Sequence, residues 1–72
     1  MMEWTTVSSS NVAAVGFDDD TGTLGVRFQS GAEYHYPGVP RSIYEGLLTA
    51  PSVGSFFDAY VKKAGYPAVR VS

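Results

Sequence analysis

Seventy-two residues with five basic and seven acidic side chains, one histidine and no cysteine allow a single domain, 1-72, with neither a disulfide staple nor a thiolate metal site. The net charge of −2 weighs against a generic polyanion binder. No stretch approaches the roughly 18 apolar residues of a membrane span, and Met1–Thr6 shows no basic region followed by an apolar one, so a cytoplasmic protein is expected. Aromatic residues reach 14%; large rings are the efficient way to bury area in a small fold. Self-association into a homo-oligomer is the reinforcement still open to so short a chain.

Val12–Asp18 (Val-Ala-Ala-Val-Gly-Phe-Asp) is β-branched and aromatic and runs into Asp19-Asp20-Thr21-Gly22, which predicts a strand ending in a turn. Leu24, Val26 and Phe28 then alternate with Gly25, Arg27 and Gln29, the period of a strand with one buried face. Ser30-Gly31 marks a hairpin, Ala32–Tyr36 returns as a third strand, and Pro37, Gly38 and Pro40 end it. From Pro40 the period changes. Val39, Ile43 and Leu47, with Tyr44 and Leu48, follow one helical face, and a short helix ends near Ala50. Ser52 is suited to cap a second helix with the stripe Val53, Phe56, Phe57, Tyr60 and Val61, closed by Gly65. In the tail, Val69 and Val71 alternate around Arg70, the pattern of a short C-terminal strand. The expected fold is α+β: a three-stranded antiparallel meander followed by two short helices packed on one face, the other face uncovered.

The order and spacing of these motifs resemble the KTSC family, a short domain named from the C-terminus of some lysyl-tRNA synthetases that also occurs alone in bacterial and phage proteins. The resemblance rests on Ser9-Ser10-Asn11-Val12, Val15-Gly16-Phe17-Asp18, Leu24, Val26, Phe28 and Gly31. It continues through the central Tyr34-His35-Tyr36, Val39-Pro40, Tyr44, Leu47-Leu48, Ala50, Ser52, Gly54 and Phe56-Phe57. It implies a binding domain, with RNA as the ligand suggested by the synthetase context.

Tyr34 and Tyr36 are two apart on a strand, so their rings share a face. A two-residue loop at Ser30-Gly31 pairs them with Arg27 and Gly25 and opens them to solvent beside a guanidinium. A three-residue loop with a bulge at Gly31 pairs them with Val26 and Leu24 and turns them inward. Both registers place His35 on the opposite face. Its only carboxylate neighbour is Glu33, and no nucleophile accompanies it, so the chain is expected not to be an enzyme. The Asp18–Gly22 run lacks the alternating ligands of a calcium loop, and no cofactor is expected. Ser52-Val53-Gly54-Ser55 lacks the lysine of a phosphate loop.

These residues point to a small, oligomeric binder of a nucleotide-type ligand. Tyr34, Tyr36 or Tyr44 would stack on a base, and Arg27, Arg41 or the Ser9-Ser10-Asn11 segment would meet phosphate. In a phage protein such a binder would sequester a nucleotide immune signal. The alternatives are an RNA-binding module and a protein-interaction module that uses the open sheet.

Overall fold

Period-two alternation becomes five antiparallel strands in the computed structural model, which describes residues 1–72. They are β1 (Glu3–Thr6), β2 (Val12–Asp18), β3 (Thr23–Phe28), β4 (Glu33–Pro37) and β5 (Val69–Arg70). They lie side by side in chain order. Helix α1 (Arg41–Thr49) and helix α2 (Val53–Phe57) follow β4, and α2 runs on into a π-helical turn, Asp58–Lys62. The α+β reading with its late fifth strand is therefore borne out. The sheet is wider than the three-stranded core of that reading because Glu3–Thr6 adds an edge strand.

The register across β3 and β4 pairs Leu24 with Tyr36 and Val26 with Tyr34. Phe28 N–H donates to Ala32 O and Gly31 N–H to Phe28 O, closing a three-residue loop. Gly31 sits at φ +96, a conformation that side chains other than glycine adopt at a cost. Of the two registers considered, the inward one forms, and Tyr36 is buried with Leu24 and Val26. Arg27 pairs with Glu33 on the opposite face. The arrangement with Arg27 beside the two tyrosines is thereby corrected, because side chains adjacent along a strand leave it on opposite sides.

A second irregularity sets the core face of β2. Val12 stands opposite Phe28 and Ala14 opposite Arg27, with Ala13 the extra residue of a bulge. Strict alternation would put Val12 on the side of Ala14 and Gly16; the bulge returns it to the side of Val15 and Phe17. Val12, Val15, Phe17, Leu24, Val26 and Tyr36 then meet Val39 of the connection after β4, Tyr44 and Leu47 of α1, and Val53, Phe57 and Val61 of the second helical segment. Ser52 caps α2 by accepting from Ser55 N–H at 3.3 Å, as its side chain suits it to do. Both helices cover one face.

The other face is not bare. Trp4 on β1 pairs with Gly16, which pairs with Gly25, which pairs with His35. The indole lies along this row: a Cβ on Gly16 would come 2.9 Å from Trp4 Cδ2, and one on Gly25 2.7 Å from Trp4 Cη2. The Arg27 guanidinium stacks 3.9 Å from the indole centroid. Its Nε donates to Glu33 Oε1 at 2.8 Å, and His35 Nε2 lies 2.8 Å from Glu33 Oε2. The hydrogen bond from Arg27, stronger than the opposing desolvation, holds the Glu33 carboxyl below its usual range, with His35 adding to the effect. Arg27 and His35 are thus engaged in covering the outer face with Trp4.

Candidate functional site

On the helix side, the inward register leaves an opening where the sheet runs past the π-helical turn. Phe28, Tyr34 and Tyr36 of the sheet, Phe57 of α2 and Tyr66 of the tail wall a cleft of about 380 Å³. Phe57 is the hinge of its packing. It meets Phe28 edge-on at 5.7 Å and Tyr36 edge-on at 5.6 Å, the offset geometry that ring quadrupoles favour. Tyr34 meets Phe28 at 5.8 Å in the same way.

The polar groups of this cleft are few: Asn11, Asp58 and Lys62, with the hydroxyls of the tyrosines. Tyr44 Oη is engaged by Thr5 Oγ1 at 3.3 Å, whereas the Tyr34 and Tyr36 hydroxyls have no protein hydrogen bond. Burial, and then the nearby Tyr34, pushes the Tyr36 phenol up, so it is a donor at neutral pH. The Arg70 guanidinium lies 5.9 Å from the Tyr34 ring centroid, because β5 pairs Arg70 with Tyr34. Arg70 is thus a cation beside the cleft, while Lys62 and Asp58 are the charged residues that line it.

A second, more polar cleft of about 480 Å³ adjoins the first and shares Asn11 and Asp58 with it. It is lined by Ser8, Ser9 and Ser10 on one side and Pro51–Ser55 on the other. Ser9 organises its rim. Its hydroxyl donates to Asn11 Oδ1 at 3.0 Å and accepts from Val12 N–H at 3.3 Å, the local backbone capture typical of serine in turns. Asn11 comes close to α2 because residue 54 is glycine: a Cβ there would stand 3.0 Å from Asn11 Oδ1.

Of the residues proposed from sequence, Ser9, Ser10, Asn11, Tyr34 and Tyr36 come together around these two clefts. Arg27, Arg41 and Tyr44 do not. Arg27 is on the outer face. Arg41 pairs with Asp19 at 2.7 Å and Glu45 at 3.2 Å, and Tyr44 stacks on Phe17 in the core. Phe57, Asp58 and Tyr66 entered the site without having been singled out for it. Phe57 read as part of the second helix's apolar stripe and is in the core, and nothing in the sequence marked Asp58.

An antiparallel meander backed by two short helices, with an aromatic cleft beside its fourth strand, defines a small α+β domain class. The KTSC domain family model matches residues 8–66, and the chain belongs to that family. It is similar to the crystal structure of a KTSC domain protein from Yersinia pestis, with a TM-score of 0.90 and 32% identity over 100% of both chains. An uncharacterized protein of Stutzerimonas stutzeri is 34% identical over 97% of this chain and 99% of its own length. A lysine–tRNA ligase of Nostoc punctiforme is 38% identical over 74% of this chain, a region that makes up 9% of the ligase. The resemblance carried by Tyr34-His35-Tyr36 and its flanking motifs is thus borne out, including its occurrence inside lysine–tRNA ligases. No helix is long and apolar enough to cross a membrane.

Proposed function

We propose that this chain is a non-catalytic binding domain whose aromatic cleft takes one nucleotide unit. The observation that carries the reading is the cleft itself. Its rings come from Phe28, Tyr34, Tyr36, Phe57 and Tyr66, its free phenol hydroxyls face a volume of about 380 Å³, and Lys62 lines it. A flat heteroaromatic group gains stacking on such walls, on the order of 1–3 kcal/mol per base, while the hydroxyls and Asn11 offer donors to its edge. Lys62 and Arg70 supply charge for a phosphate.

The presence of similar domains in lysine–tRNA ligases favours an RNA residue as one source of that unit, and a free nucleotide is the other. Sequestering a nucleotide immune signal is one use of such a site, on which the relatives above are silent. A homo-oligomer is part of the proposal. Its support is the small size of the chain and the exposure of Leu48, Tyr60, Val69 and Val71.

The test is native mass spectrometry of the protein with mononucleotides, cyclic nucleotides and short single-stranded RNAs. Retention of an intact nucleotide unit is expected, weakened at least tenfold by Tyr34→Ala or Lys62→Ala. RNA retention should fall steeply with salt, as counterion release requires. Turnover of the nucleotide would overturn the non-catalytic part, and indifference to every nucleotide and RNA would overturn the ligand class. The same spectra report the oligomeric state.

A further inference from the structure

Resting on the nucleotide reading of the aromatic cleft, we propose that Asp58 reads the ribose, accepting from the free vicinal 2′ and 3′ hydroxyls of the bound unit. Asp58 and Asn11 are the two residues that line both the aromatic cleft and the serine-rich one, so Asp58 stands where a sugar falls when its base lies among the rings. Its carboxylate has no hydrogen bond or ion pair within the protein, although Lys62 follows it by four residues, the spacing at which acid and base pair on a regular helix.

The backbone accounts for the missing pair. From Asp58 the helix widens: Lys63 N–H bonds to Asp58 O at 2.9 Å, a step of five residues. Such π-turns occur mostly as single-turn features and are frequent at functional sites. Both side chains line the aromatic cleft yet remain unpaired.

The chemistry follows from the two charges. An ionised carboxylate only accepts hydrogen bonds, so at the sugar it matches two adjacent hydroxyl donors and opposes a phosphate. The 5′ phosphate of the same unit then belongs at Lys62, the cation of the same cleft. The ligand class is a unit with an unsubstituted ribose diol: a ribonucleoside 5′-monophosphate or the 3′-terminal residue of an RNA. A 3′-phosphate or a deoxyribose places either a like charge or a missing donor against Asp58.

The experiment measures, by isothermal titration, binding of the four ribonucleoside 5′-monophosphates, their 2′-deoxy counterparts and the 3′-monophosphates. A tetranucleotide RNA with a free 3′ end, and the same RNA ending in a 3′-phosphate, distinguish the two sources. Wild-type protein should prefer the ribo-5′-monophosphate over its deoxy partner by about tenfold, the size of one good hydrogen bond to a charged group. Asp58→Asn should erase that preference and tolerate the 3′-phosphate. Asp58 is exposed and its side chain holds nothing in place, so the variant keeps the fold. Equal binding of ribo and deoxy forms by the wild type would overturn the role of Asp58 and leave the nucleotide reading standing. An Asp58→Asn protein that binds every form more tightly at an unchanged ratio would do the same, showing repulsion alone. Failure of all these probes to bind would overturn both.

Discussion

Glu33 shows how one side chain on the outer face joins three elements. It accepts from Arg27 of β3 and bonds His35 on its own strand, while Arg27 lies on Trp4 of β1. Its carboxyl titrates below the usual range in the folded protein, chiefly through the Arg27 hydrogen bond. The unfolded chain therefore binds this proton first as acid is added. The stabilisation is complete above the unfolded carboxyl value, about 4.3, and is lost as pH falls through the folded one. Glu33→Gln should lower stability near neutral pH by about 0.5–1 kcal/mol, in keeping with partly exposed ion pairs. It should also flatten the decline of Tm below about pH 4.3, where the wild type loses the same contribution. Thermal unfolding of both proteins across pH 3–7 checks the sign, and parallel acid limbs would refute it. Asp58 belongs to the same scale but carried no sequence signal: a lone carboxylate on a helix is ordinarily solvated, and only its position between two clefts gives it meaning.

At the scale of elements, what the sequence made legible was whatever repeats. β2 follows from its β-branched and aromatic residues, β3 from alternating Leu24, Val26 and Phe28, β4 from Tyr34 and Tyr36 two apart, and the helices from the four-residue spacing of Ile43–Leu47 and Phe57–Val61, so these elements could be read in advance. β1 could not. Glu-Trp-Thr-Thr has one large apolar residue in four, and its partner is a pair of glycines whose usefulness lies in having no side chain. The face of the tyrosines was open for another reason: it depends on whether a loop holds two residues or three, which Gly31 settles only through its backbone angle. The docking of β1 through Trp4 is testable. Gly25→Ala places a methyl 2.7 Å from Trp4 Cη2 and should cost about 1–3 kcal/mol, as overpacking does. Emission from the only tryptophan should shift to longer wavelength as the indole is displaced. In a Trp4→Ala background the penalty should largely vanish, as coupling between contacting groups requires. Gly46 on α1 is the helical counterpart. Its Cβ would collide with the Phe56 ring, so Gly46→Ala should lower Tm although alanine is the better helix former by about 1 kcal/mol. A higher Tm would show that Phe56 yields.

For the whole molecule, the two faces of the sheet divide the labour. The helix side holds the core and opens into the aromatic cleft; the outer side is partly covered by Trp4, Arg27, Glu33 and His35. Substitutions on the outer face should therefore change stability with little effect on ligand affinity, and Tyr34 or Lys62 the reverse. Titrating nucleotide into Glu33→Gln and Lys62→Ala separates the two.

From β1 to β4 each strand pairs with the next across a short connection, and the pairing of β5 alone, which sets Arg70 against Tyr34 beyond both helices, waits for a distant segment. Chains with such local connectivity close small loops at low entropic cost and fold quickly, on the order of milliseconds for mixed α/β domains. A segment of this kind brings its own folding route with it when joined to another protein. That portability suits a module similar to 9% of a lysine–tRNA ligase as well as to nearly the whole of a Stutzerimonas stutzeri protein.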